Sequence, residues 1–464
     1  LDASGDIGYQ CGGGGRIAVI VTNGASFDAV KFQAFGGKGT FNSTPDPLRG
    51  AAAGTVYLKD KNATNGLLIV DNNHVIPAFY VRYPTTLLTN GTYALDRIVL
   101  TNSGVLEAGT GATLDLSAGG TFAASTTNSR IVIGEGSLVL PVAFTLVNAT
   151  LSFRGEKSQS LATDLTIANG GILTHEEGYS YGSLSETNRM ILTIAGNLTV
   201  NAGGGIDVKA KGYRELEGPG KGGANFGGSH GGVGGRYNGG SPTGTYGSVM
   251  APTWRGSGGQ SDQPDGPSAA GGGAINLTVT GATVLNGAIN ADGERNADTA
   301  NASYNGGGGA GGSVYLKCGT LSGGGKITAN GGATNLNYSG GGGGGRVSVI
   351  LSSGNDFGSV SFDASGTAGG TNYLAGPYAA AGGTIYLQKA SDGAGRGDLT
   401  VPNTFSSSNA TEIPALSGGV SWTDDLSRVG VTVTNAARLM VTSNLWIGNL
   451  WISSGAEINL NGFT

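Results

Sequence analysis

The sequence predicts an all-β chain, a right-handed parallel β-solenoid with long glycine-rich loops packed along one side. Three observations predict it: a strand–loop–strand phrase used six times, a duplication at long range, and strand-like alternation with no helical stripe. Glycine supplies 90 of 464 residues, well above the ~7% of ordinary usage. An ordered glycine costs roughly 0.5–1 kcal/mol relative to alanine. So much glycine implies a backbone that needs positive φ or close chain approach. The glycines come in runs and not at every third position, which excludes collagen.

Each phrase opens with a short strand ending in small residues and glycine. The openers are Leu1–Gly5, Phe32–Gly36, Ile206–Ala210, Ile289–Gly293, Ile327–Gly331 and Phe362–Gly366. A glycine-rich loop follows and launches a second strand, read from Gly14, Gly54, Gly273, Gly311, Gly344 and Gly382. Fixed order with variable loop length marks a repeat architecture. In the launched strands Ile17, Val19 and Val21 share a face with Val56 and Leu58, and Ala18 falls on the other with Tyr57. That second position later reads Asn276, Tyr315, Ser348 and Tyr386, so stacked units would lay each ring over a small neighbour.

The segment from Gly12 aligns with that from Gly342 at a constant offset of 330: Arg16 matches Arg346, Phe27 matches Phe357, Val30 matches Val360 and Phe32 matches Phe362. The likeness continues as AAAGTVYLK against AAGGTIYLQ, then fades through ALDRIVLTNSG against DLSRVGVTVTN. Four regions result. Residues 1–59 and 201–390 carry the glycine-loop units, the second including the long loop 213–272. Residues 60–200 are glycine-poor rungs of roughly 18–24 residues, and 391–464 open a second such segment. Tandem antiparallel β-sandwiches, with each opener paired to its own launched strand, are the alternative.

Charged residues are 12% of the chain and net charge is −5 with no basic cluster, which argues against nucleic acid. No 18-residue apolar run spans a membrane. No signal peptide or initiator Met stands at the start, so the sequence reads as a processed chain or a piece of a longer one. Cys11 and Cys318 read as isolated thiols, the alternative being a bridge within the chain or between neighbouring molecules, which would indicate an oxidising compartment.

Chemistry-bearing patterns are weak. Gly227-Gly228-Ser229-His230-Gly231 matches a nucleophile-elbow pattern that chance supplies in glycine-rich sequence. His74, His175 and His230 lie far apart, without metal-ligand spacing. Asp292, Glu294, Asn296 and Asp298 alternate oxygens and are weak calcium candidates, as are the pairs Asp262/Asp265 and Asp424/Asp425; each reads better as a solvated acidic loop. Tyr237, Tyr246, Trp254 and Arg255, in the long loop with Phe226 and His230, are candidate glycan or partner contacts, or else anchors of a packed cover. The charges look too scattered to form an enzyme face on adjacent rungs. Nine N-x-S/T sequons, among them Asn42, Asn148 and Asn301, are near the chance number.

GGGGAGGSVYLKCGTLSGGGKITANGG from Gly306, GGGGGGRVSVIL, and the pattern from Tyr246 to Gly259 resemble very large glycine-rich repeat proteins on the surfaces of environmental bacteria. The likeness covers residues 1–59 and 196–390, and the remainder resembles autotransporter-type β-helix rungs. The resemblance implies a secreted or surface-displayed structural or adhesive role and supplies no catalytic residues. The expected function is therefore an extracellular, non-enzymatic building block of a fibre, sheath or surface layer. Its partner would be a further copy of itself, head to tail, because the chain starts inside a unit and stops in rung-like sequence. The alternatives are an adhesin that binds cell-surface glycans through loop 213–272, and a carbohydrate-active enzyme. No cofactor is expected.

Overall fold

The computed structural model describes residues 1–6, 11–27, 29–41, 44–45, 50–75, 85–124, 128–181, 184–236, 240, 242–261, 269–296, 306–334, 338–370, 376–414 and 424–464. The protein is essentially all-β, with predominantly parallel sheets and no α-helix among those residues. None of their helices is long and apolar enough to cross a membrane. The chain forms two compact units, Leu1–Asn188 with Ile194–Gly204, and Arg189–Thr193 with Gly205–Thr464.

In the first unit each pass of the chain contributes short strands to separate sheets. Arg97–Thr101, Val105–Ala108 and Ala112–Asp115 make one pass; Thr121–Ala124, Arg130–Ile133 and Ser137–Val139 make the next. Each strand pairs in parallel with its counterpart. Partner positions range from 20 residues apart (Arg130 and Thr150) and 25 apart (Val105 and Arg130) to 33 apart (Leu165 and Leu198). Period-two alternation then stacks like on like. Leu106, Ile131, Leu151 and Leu173 form one column, fully buried. Burial of a side chain of this size contributes about 1.5–3 kcal/mol. Left-handed residues turn the chain between strands: Asn90 and Asn148 adopt φ of 46°, a region that asparagine tolerates.

In the second unit the two parts of each phrase form two parallel stacks. Openers pair with openers, in the order Gly205–Asp207, Ala288–Asn290, Lys326–Thr328, Ser361–Asp363. Launched strands pair with launched strands, in the order Ala274–Leu285, Ser313–Ser322, Arg346–Leu351, Thr384–Gln388. The antiparallel pairing of an opener with its own launched strand is therefore replaced by parallel pairing between units. Asx turns end the openers. Asp207 accepts the Lys209 amide at 2.9 Å, Asn290 that of Asp292 at 2.9 Å, and Asp363 that of Ser365 at 3.1 Å. The side-chain oxygen replaces a ladder partner and turns the chain into the glycine loop.

All six launched phrases are strands, Arg16–Ile20 and Thr55–Lys59 being the two in the first unit. The tyrosine register holds: Asn276 opposes Tyr315, Tyr315 opposes Ser348, and Ser348 opposes Tyr386. Tyr315 and Tyr386 are both buried.

The duplication is structural. In the first unit Arg16–Ile20, Thr55–Lys59, Leu67–Asp71, Arg97–Thr101 and Thr121–Ala124 pair in that order. In the second, Arg346–Leu351, Thr384–Gln388, Asp398–Val401, Gly430–Val433 and Asn449–Ile452 do the same. Each series has one antiparallel step, at its second junction. Phe27 and Phe32 meet edge to face at 6.1 Å and 87°, and Phe357 and Phe362 repeat the contact at 6.0 Å and 88°. Sequence likeness fades after the second strand while the strand order persists, because stacking demands only alternation.

Candidate functional site

The described residues of the long loop 213–272 pack inward. Its glycine tracts run against those that precede the launched strands, and their peptide groups bond from tract to tract. Gly228 donates to Gly308, Gly308 to Gly340, Gly311 to Gly343, Gly343 back to Gly228, and Gly232 to Gly344, at 2.8–3.1 Å. None of these residues lies in the left-handed region. Glycine is needed here for proximity: a Cβ on Gly307 would sit 1.9 Å from the Phe226 carbonyl oxygen, and one on Gly343 2.1 Å from that of Gly232.

Side chains peg the sheaf. Tyr246 is fully buried; its hydroxyl donates to the Arg255 carbonyl at 2.6 Å and lies 2.8 Å from Ser257 Oγ. The His230 ring packs against that of Tyr246 at 4.6 Å, and His230 Nδ1 donates to the Gly311 carbonyl at 2.8 Å. Burial holds His230 far below the usual histidine value, at about 3, so it stays neutral. The Arg255 guanidinium covers the Tyr213 ring at 4.2 Å. Trp254 meets Tyr246 edge-on at 6.3 Å, and its carbonyl accepts from Ser313 Oγ. Tyr246 and Arg255, candidates for glycan contact, are thus buried and engaged; Tyr237 lies outside the described residues. Ser229 is buried too, with Oγ accepting the Gly234 amide, so it is no exposed nucleophile.

The calcium candidates serve as backbone acceptors. Asp292 accepts the Asn330 amide at 2.7 Å and Glu294 the Ala270 amide at 2.8 Å, while Asn296 bridges to Thr334. Asp298, Asp262 and Asp265 lie outside the described residues. Asp424 accepts from Ser248 and Val249, and Asp425 from the Ser427 amide. Among the described residues no three metal-binding side chains gather.

One arrangement contradicts the expectation of scattered charge. In the first unit Arg154 Nη1 meets Glu107 at 2.7 Å, and its Nη2 lies 3.6 Å from Glu176. Arg130 grips both Glu176 oxygens at 2.8 Å, and Ser152 donates to the same carboxylate at 2.6 Å. Glu107, Arg154 and Glu176 are buried. Register brings them together, since Glu107 opposes Val132, Val132 opposes Ser152, and Ser152 opposes Thr174. Beside them a cleft of about 280 Å³ crosses the strand ends.

No family model, curated protein or solved structure matches this chain. Its role is therefore read from its own geometry.

Proposed function

We propose that the protein is an extracellular structural scaffold: a right-handed β-solenoid that joins further copies of itself end to end into a fibre, sheath or surface layer. The observation that carries this reading is the repeated five-strand series, each copy starting with the same Arg-led strand and showing the same antiparallel step. Modules of this kind stack on their neighbours, and stability grows with each interface. The glycine sheaf supports it, because its close contacts yield rigidity and leave little side chain for chemistry. Low charge with abundant Asn, Ser and Thr fits an exposed setting.

Assembly would use open strand edges. Among the described residues Arg16–Ile20 and Asn449–Ile452 each stand at the end of a sheet. Ile20, Trp446, Leu450 and Trp451 are exposed there, and such edges template further pairing. A glycan-binding role through loop 213–272 draws less support, since its ring and guanidinium are used internally. Sedimentation velocity and electron microscopy of the purified chain test the proposal. Concentration-dependent growth into filaments is expected. A monodisperse monomer at high concentration, with no filaments, overturns it.

A further inference from the structure

The first-unit cleft is a built feature. It crosses the C-terminal ends of four consecutive parallel strands, Thr86–Leu88, Val105–Ala108, Arg130–Ile133 and Thr150–Phe153. A glycine directly follows two of those strands. A Cβ on Gly109 would sit 2.6 Å from Leu87 Cδ1, and one on Gly134 2.9 Å from Glu107 Oε1. Side chains at these two points would press into the lining, so glycine keeps the cleft open.

The floor is buried and ionic; the rim is exposed and rich in hydroxyls. Arg154 lines the floor, and its Nε–H has no hydrogen-bond partner although both Nη atoms face carboxylates. A buried donor left unmatched costs about 1–3 kcal/mol. The rim carries Thr89, Thr110, Thr187 and Glu135. Charge decides among ligands. Arg154 and Arg130 are matched by Glu107 and Glu176, whereas the Glu135 carboxylate has no ion pair among the described residues. An anion entering the cleft would meet that charge, and the Lys157 ammonium beside it is already held by the Glu135 and Gly136 carbonyls at 2.6 and 3.1 Å. A neutral polyol has donors for the carboxylate and acceptors for the rim hydroxyls.

We propose that this cleft binds a neutral saccharide residue of a polysaccharide chain, with Glu135 accepting from sugar hydroxyls and Thr110 completing the rim. The site goes beyond the scaffold role and would attach the scaffold to a glycan matrix. It asks nothing of assembly, so the two ideas stand or fall separately.

Isothermal titration calorimetry of the whole chain tests it. The neutral probes are cellotetraose, maltotetraose and mannotetraose; tetragalacturonate serves as the acidic probe and spermidine as the cationic one. The expected result is saturable binding of at least one neutral probe, weakened roughly tenfold or more in Glu135→Ala, where a hydrogen bond to a charged group is lost. Thr110→Val should weaken it to a lesser degree. Both positions are exposed, and unchanged circular dichroism would confirm that each variant folds. Failure of every neutral probe to saturate, preference for tetragalacturonate or spermidine, or neutral binding that neither variant alters would each overturn the assignment.

Discussion

Arg346, wholly buried, donates from Nε to the carbonyl oxygen of Tyr246, 3.0 Å away and 100 residues earlier in the chain. Its Nη1 donates to Thr384 Oγ1 at 3.1 Å, across the strand pairing that the duplication repeats as Arg16 opposite Thr55. Arg16 is nevertheless exposed. The same residue heads the same kind of strand in both copies, and burial separates them. Burial pulls the Arg346 guanidinium down to about 10, still charged at neutral pH.

That contrast gives the first prediction. Arg346→Ala removes two charged hydrogen bonds and leaves a cavity, and should cost on the order of 3 kcal/mol or more. Arg16→Ala should stay within about 0.5 kcal/mol of the parent. Urea unfolding of the two variants checks it, and equal costs would refute the burial argument.

Glycines of the sheaf should be intolerant where others are not. A Cβ on Gly332 would lie 1.7 Å from the Glu294 carbonyl oxygen, while one on Gly324 meets nothing within 4 Å. Neither has a left-handed φ. Gly332→Ala should therefore destabilise by about 3 kcal/mol or more, because backbone on both sides must move. Gly324→Ala should be neutral or stabilising by up to about 1 kcal/mol through the unfolded state. Thermal melting points of the pair decide.

Acid should loosen the second unit through His230. Its folded value, about 3, lies below the ordinary 6.5, so the unfolded chain takes up the proton first. The stability from neutral His230 is complete above about pH 7 and declines as pH falls from 6.5 towards 3, by an amount on the order of 4 kcal/mol. His230→Gln keeps a donor for Gly311 and removes the titration. Its stability should vary less over that window than that of the parent, as read by denaturant midpoints at stepped pH.

The two thiols should separate by reactivity. Cys318 is buried and its thiol is pushed up to about 11, chiefly by desolvation, whereas Cys11 is partly exposed. At pH 8 a thiol near 11 holds roughly a thousandth of its population as thiolate. A chromogenic disulfide reagent should therefore reach Cys318 only after unfolding. Two fast thiols would contradict the burial of Cys318.

Much of the fold was legible because its rules are local. The Asp207, Asn290 and Asp363 turns, the six launched strands and the alternation of Tyr315 and Tyr386 with Asn276 and Ser348 all follow from short spacings. The ionic cluster beside the cleft was not legible. Its contacting members are 22 to 47 positions apart, and the separations vary between passes. Only a search for charges at the ends of stacked strands would have signalled it. The inward turn of Tyr246 and His230 was equally hidden, since an aromatic residue among glycines can as well face solvent.

By itself, then, the chain's amino-acid order dictated alternating short strands, glycine-permitted turns and a repeated module, because these depend on backbone stereochemistry and side-chain period. Tertiary structure alone decided that Arg346 is buried while Arg16 is not, and that Glu107, Arg154 and Glu176 share one floor. The reason is stacking. Strand pairing brings distant passes to within hydrogen-bonding range, and the length of each intervening loop, free to vary without cost to the ladder, leaves no fixed spacing from which those neighbours could be read.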